Sequence, residues 1–272
     1  MANAPFQDQV VLVTGASSGI GRALAAAFAR QGARVVLVAR NEARLRALEQ
    51  ELATCPGQRL VVPADVRQAD QVEQAVQTAV QRFGQIDVLV NNAGKGHCGS
   101  VEETSLEEFR DVFDTNFFGA FLFTRAVAPH MVKRRSGLLI QISSVNGFCA
   151  VPLGSAYSAS KFALEAFSQT ARLEWEAHNV HVLIVRPGLI DTEFFDNAKN
   201  FREKNPFPTD RRMSAERAAQ LIVRAAAARR RDLVITADGK MLWWLKKISP
   251  RLVDRILVHY IKAPRAAREA VA

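Results

Sequence analysis

A chain of 272 residues, 49% apolar and 23% charged, can bury a sizeable core without disulfide or metal staples, which excludes disordered and collagen-like architectures. The net charge of +9 is concentrated: residues 229–272 carry 11 Lys/Arg against 4 Asp/Glu, a balance of +7, leaving +2 for the rest. A surface built to bind nucleic acid is therefore not expected.

Taken in chain order, the first residues show no basic segment followed by an apolar run, so no secretory signal is expected. Runs rich in β-branched residues at 10–14, 33–39, 59–63, 86–90, 138–143, 180–186 and 233–236 predict seven strands. Helical periodicity marks 23–30, 43–52, 72–83 and 155–177 between them. Val35-Val36-Leu37-Val38 is apolar on both faces, as a parallel strand covered on each side must be. Strand–helix alternation with right-handed crossovers predicts an α/β doubly wound, mostly parallel seven-stranded sheet with helices on both faces. Residues 1–238 read as one catalytic domain. Within it, 192–212 breaks the periodicity with Phe, Asn, Pro and charge and reads as a substrate loop at the carboxyl edge of the sheet. Residues 239–272 read as a basic, amphipathic C-terminal helical extension.

Directly after the first strand stands Thr14-Gly15-Ala16-Ser17-Ser18-Gly19-Ile20-Gly21, opening a helix. Gly15 suits the tight turn, Gly19 a close backbone approach to pyrophosphate, and Gly21 close packing of helix on strand. Amides at the helix start then face the phosphates, joined by the Ser17 and Ser18 hydroxyls. The turn reads as a Rossmann-type dinucleotide site; the other reading is a glycine-rich connection with no ligand. At the end of the second strand the chain reads Val38-Ala39-Arg40-Asn41. A carboxylate for the ribose 2′-hydroxyl is missing, and Arg40 offers a charged fork for a 2′-phosphate, so NADP(H) is preferred with NAD(H) as the alternative. Asp65, after the third strand, suits the adenine amino group; the other reading is a cap for the following helix.

Tyr157 and Lys161 lie one helical turn apart, so an ammonium stands beside a phenol whose ordinary pKa of about 10 makes it a poor acid–base group at neutral pH. Ser144 ends a strand thirteen residues earlier, where a hydroxyl can polarise a carbonyl. Three widely spaced cysteines, Cys55, Cys98 and Cys149, include no C-x-x-C pair, which predicts a reducing compartment, no disulfide framework and no metal site. His97 and Cys98 are placed at the substrate mouth, and Cys149 beside Phe148 in the substrate wall.

The glycine turn, Asp65, Asn91-Asn92-Ala93-Gly94, Asn116, Ser144, Tyr157, Lys161 and Pro187-Gly188 with Thr192 together resemble the short-chain dehydrogenase/reductase family in its single-domain form. Local stretches around Tyr157 and Gly188 are similar to hydroxysteroid dehydrogenases of the 11-beta type. The resemblance implies an oxidoreductase moving a hydride between nicotinamide and a carbonyl or secondary alcohol. In it Tyr157 transfers the proton, Lys161 lowers the Tyr157 pKa and holds the ribose, Ser144 orients the substrate oxygen, and Asn116 anchors a water. Val66 and Asn92, Ala93 and Gly94 would line the adenosine side. Pro187, Gly188, Ile190 and Thr192 would cover the nicotinamide. A homodimer or homotetramer pairing through residues 116–135 and 155–178 is also implied.

Phe148, Val151, Leu153, Leu189, Phe194, Phe195, Phe201 and Phe207 suggest a bulky apolar substrate, steroid-, lipid- or quinone-like. In the tail, Ser249 and Pro250 suit the start of a helix with Leu252, Ile256 and Tyr260 on one face, and Trp243-Trp244 stands beside Lys246-Lys247. That pattern fits either a helix covering the active site or peripheral contact with the inner face of a membrane by a cytoplasmic protein. Two other function classes remain open: an NADP(H) sensor without turnover, and a membrane-associated interaction protein on the same fold.

Overall fold

The computed structural model describes residues 4–194 and 212–269, with side chains as far as His259. Strands β1 (Val10–Thr14), β2 (Arg34–Ala39), β3 (Arg59–Pro63), β4 (Val88–Asn91), β5 (Gly137–Ile142), β6 (Val180–Arg186) and a late strand (Asp232–Val234) form one sheet in the order β3-β2-β1-β4-β5-β6-late, every pair parallel. The order reverses between β1 and β4, and it is outside the carboxyl ends at such a reversal that open α/β sheets hold ligands. The sequence places the late strand at 233–236. In the structure pairing stops at Val234, because Thr236 instead accepts from the Gly239 amide and caps the next helix.

Alternation along β1 sorts the core into two layers. Val11 and Val13 meet Leu24 and Phe28 of α1 (Gly19–Ala29) and Ile222 and Val223 of α7 (Ala215–Ala227). Val10 and Leu12 meet Val72 and Val76 of α3 (Ala69–Phe83) and Phe123 and Val127 of α5 (Gly119–Arg134). Helix α2 (Glu42–Glu51) follows β2, and α4 (Leu106–Phe113) runs through a π-helical turn, Asp114–Phe118, into α5. Helix α6 (Ser155–Trp175) packs against β6, α4 and the π-turn.

Two helices close the chain, α8 (Ala237–Ile248) and α9 (Pro250–Glu269). A third, small core forms where they meet the segment after β5: Cys149, Val253 and Leu257, with Phe148, Val151, Leu242 and Leu245 against it. The buried side of α9 is therefore Val253 and Leu257, while Leu252 and Ile256 remain 44% and 38% exposed. That is one residue, or about 100° of helix, away from the face the tail pattern suggests. The Tyr260 side chain lies outside the described residues. Trp243 is held against the body by Arg186, whose guanidinium lies 4.8 Å from its ring, and by Phe148, edge-on at 4.7 Å.

Candidate active site

One cleft of about 1460 Å³ runs along the carboxyl edge of the sheet from β2 to the tail. Of the catalytic and cofactor-binding residues expected from the sequence, all but Gly21 and Asn116 line it. The two exceptions sit just behind its surface.

The glycine turn is built by contacts that tolerate no side chain. Gly15 has φ +66°, and a Cβ there would meet Ala93 Cα and Asn92 Nδ2 at 2.9 Å. At Gly21 a Cβ would fall 2.2 Å from the Gly15 carbonyl oxygen. Asn92 explains this crowding: its side-chain amide donates to the Thr14 and Gly15 carbonyls at 3.0 and 3.3 Å. Thr14 Oγ1 in turn accepts from the Asn92 and Ala93 amides at 3.0 and 3.1 Å. Asn92 thus braces the turn as well as lining the cleft. Helix α1 starts at Gly19 with no acidic residue in its first turn, leaving the positive end of the helix open to an anion. Gly19 (φ +50°) also abuts Thr192, whose Cβ and Cγ2 lie 3.1 Å from where a Cβ would stand.

Beyond the turn, Arg40 is exposed at the end of β2, and the Asn41 carboxamide oxygen accepts from the Arg44 amide at 3.0 Å, capping α2. Asp65 does not cap α3, whose N-cap is Gln68. Its carboxylate is gripped by Arg67, with contacts of 2.6 to 3.1 Å, and this guanidinium holds its pKa below the ordinary carboxylate range; the Arg40 charge adds to the effect. Arg67 continues to Asp111 at 3.1 Å, and Asp111 pairs with Lys95. The polar chain Asp65–Arg67–Asp111–Lys95 therefore spans one rim of the cleft. Arg44, Arg67, Lys95 and Asp111 were not singled out in the sequence. Arg44 stands one turn after Arg40, a readable signal; the Lys95–Asp111 pairing exists only in three dimensions.

At the far end, Tyr157 reaches from the first turn of α6 and is hydrogen-bonded to the Ser144 hydroxyl at the end of β5. Ser144 also accepts from the Asn146 amide at 3.1 Å, which fixes its rotamer. Lys161 is 4% exposed; its Nζ donates to the Ile142 carbonyl at 2.8 Å and lies 5.8 Å from the Tyr157 ring centre. The ammonium was expected to draw the phenol down, but burial decides the balance. It pushes Tyr157 up to about 12 against the Ser144 hydrogen bond, and pulls Lys161 down to about 8 against the Glu165 charge.

Asn116, 1% exposed, owes its position to the π-turn. Its oxygen accepts from the Lys95 amide at 2.8 Å, and its nitrogen donates to the Lys95 carbonyl at 3.0 Å and to Ser160 Oγ at 3.1 Å. Gly94 joins it to the rest: a Cβ there would stand 3.3 Å from Asn116 Oδ1 and 3.7 Å from Lys161 Nζ.

The cleft also has an apolar lining. Val151, Leu153, Leu189 and Phe194 line it as expected, and His97 and Cys98 stand at the same end. Phe148 and Cys149 do not line the cleft. Phe148 turns to Trp243, and Cys149 is fully buried against the tail, where desolvation pushes its thiol pKa up. Phe195, Phe201 and Phe207 lie outside the described residues. The tail supplies Met241, Leu242, Ile256 and Leu257 in their place.

Comparison with known proteins agrees with this geometry. Residues 9–203 match the family model of the short chain dehydrogenases. The mouse dehydrogenase/reductase SDR family member 7B is 34% identical over 278 residues, covering 99% of this chain and 86% of that one. An alcohol dehydrogenase from the archaeon Thermococcus sibiricus, complexed with 5-hydroxy-NADP, superposes with a TM-score of 0.76 at 29% identity, covering 84% and 96% of the two chains. A short chain dehydrogenase/reductase from Burkholderia phymatum in complex with NAD gives 0.81 at 25% identity, covering 90% and 96%. The chain therefore belongs to the short-chain dehydrogenase/reductase family, oxidoreductases of alcohol and carbonyl groups that use a nicotinamide cofactor.

Proposed function

We propose that this chain is an NADP(H)-dependent enzyme interconverting a bulky, apolar carbonyl compound and its secondary alcohol, with Tyr157 transferring the proton. The observation that carries this is the Tyr157–Ser144 hydroxyl pair at the end of a cleft whose other end is a glycine turn on an acid-free helix start. Gly15 and Gly94 both line the cleft, which suits a dinucleotide laid along it. The nicotinamide, when bound, supplies or accepts the hydride.

Two adjacent hydroxyl donors suit a carbonyl oxygen that gains negative charge during reduction. Ser144 orients that oxygen. Tyr157, a neutral phenol while its pKa lies near 12, gives up its proton as the charge develops. Lys161 Nζ is positioned to hold ribose hydroxyls, and Asn116, braced on the Lys95 main chain, to order a water toward it. Leu153, Leu189, Leu242 and Leu257 favour an apolar substrate, steroid-, lipid- or quinone-like. Arg40, with Arg44 in the next turn and no carboxylate at the end of β2, favours the 2′-phosphate of NADP(H). The exposed aromatic faces of α5 and α6 suit a homodimer or homotetramer, and the protein is read as cytoplasmic, with its basic tail as the part that would touch a membrane.

One assay tests the chemistry: oxidation of NADPH and of NADH against a panel of ketones, quinones and aldehydes. Tyr157→Phe should lower kcat by 10² or more, the size of a general acid contribution. Arg40→Ala should erode the preference for NADPH over NADH by about tenfold, as expected for a lost charged contact of ~1.5 kcal/mol. Turnover unchanged by Tyr157→Phe would refute the role given to the phenol. A protein that binds NADPH and consumes none is the sensor instead.

A further inference from the structure

We propose that the exposed apolar face of the two tail helices docks on an anionic lipid bilayer and sets the mouth of the cleft against it. The apolar-substrate reading bears only on what then enters the cleft; the docking does not depend on it.

Met241, Trp244 and Ile248 on α8 are 65%, 64% and 79% exposed. Their spacing of three and four residues stacks them in one ridge. Leu252 and Ile256, one turn apart on α9, make a second. These ridges are not remote from the site: Met241 and Ile256 also line the cleft, so both meet at its rim.

The helix is held with this ridge outward by its neighbouring tryptophan. Trp243 faces the body, with Arg186 over its ring at 4.8 Å, while Trp244 faces solvent. Two adjacent tryptophans thus do opposite jobs: one anchors and one projects.

Charge selects the occupant. Lys240 and Lys247 flank the α8 ridge, and Arg251 and Arg255 flank the α9 ridge. Among the described residues, Lys246 is the tail cation matched by a carboxylate, Asp254 at 3.0 Å. A ridge edged by unneutralised cations repels a second copy of itself and suits anionic headgroups, with tryptophan and lysine at the interface depth. Among the described residues no helix is long and apolar enough to cross a membrane, so the contact is peripheral.

The test is flotation of the full chain with vesicles of equimolar phosphatidylcholine and phosphatidylglycerol, against vesicles of phosphatidylcholine alone. Wild type should bind the anionic vesicles, and less so as salt rises. Trp244→Ser/Ile248→Ser should lose at least about tenfold in partition. Lys240→Gln/Arg251→Gln should lose on the order of twentyfold, about fivefold per charge. All should keep wild-type NADPH oxidation with a water-soluble ketone, whereas a ketone dissolved in the vesicles should be reduced faster by wild type than by the apolar variant. Equal binding of wild type to both vesicle types, or undiminished binding by the apolar variant, overturns the proposal. A fall in the apolar variant's solution mass, with no vesicle binding by wild type, overturns it in favour of self-association. Vesicle binding by a wild type that reduces no soluble ketone supports the docking while sinking the proposed reaction.

Discussion

Lys161 carries the sharpest pH dependence in the site. Burial lowers it from 10.5 to about 8, so its charge is lost as pH rises through the range where many enzymes are assayed. The kcat/KM for NADPH, which reports free-enzyme ionisations, should fall as pH rises through about 8. Lys161→Arg, permanently charged, should remove that fall even at a lower overall rate. A wild-type profile flat across about pH 7 to 9 would contradict the assignment. Stability runs the opposite way. A lysine whose folded pKa is depressed costs the fold its full desolvation below about 8, and that cost is relieved as pH climbs toward 10.5. Activity is thus expected to decline over the interval in which this residue ceases to strain the fold.

At the scale of elements, a buried ionic bolt joins α6 to the tail. Arg186, at the end of β6, donates to both carboxylate oxygens of Glu165 on α6 at 2.9 and 2.6 Å, and both side chains are nearly fully buried. The same guanidinium pairs with Asp232 at 2.7 Å and stacks on Trp243. Glu165 lies one turn beyond Lys161 and raises its pKa, so the bolt also bears on the active site. Removing one member of such a pair strands a charge in the interior. Arg186→Met should therefore cost ~3–5 kcal/mol in urea unfolding, and Arg186→Met/Glu165→Leu should recover much of it. A single-variant loss under about 1 kcal/mol would mean that the pair is better solvated than its burial implies.

For the whole molecule, the outward faces of α5 and α6 with the π-turn between α4 and α5 carry an aromatic seam. Phe117 meets Phe167 edge-on at 6.1 Å, Phe121 meets Phe167 at 5.8 Å, and Phe118 and Phe162 stand 48% and 42% exposed beside them. Apolar surface concentrated on two helices suits a symmetric interface. For a homo-oligomer paired through these faces, Phe118→Asp/Phe162→Asp should give a monomer in size-exclusion chromatography with light scattering. A wild type that is already monomeric would remove the expectation.

The positions of the strands along the chain and the glycine turn could be read directly, because short β-branched apolar runs and φ-demanding glycines are local signals. So could Tyr157, Lys161 and Ser144, because a helical turn and a strand end fix where they point. What β1 to β6 do was therefore legible. The seventh strand ends two residues earlier than the sequence suggests, because Thr236 serves equally well as a strand residue or a cap and only the neighbouring helix decides. Phe148 and Cys149 were assigned to the substrate wall on proximity in sequence; the tail then claimed them, and Met241, Leu242, Ile256 and Leu257 took the wall instead. The amino-acid sequence by itself determined the sheet and the glycine turn and singled out the groups proposed to react, since each is marked by residue types at short, regular spacings. Tertiary structure alone decided the depth of burial that sets the Tyr157 and Lys161 pKa values, the Arg186 bolt and the face the tail shows to solvent, because those depend on which distant surfaces exclude water from one another.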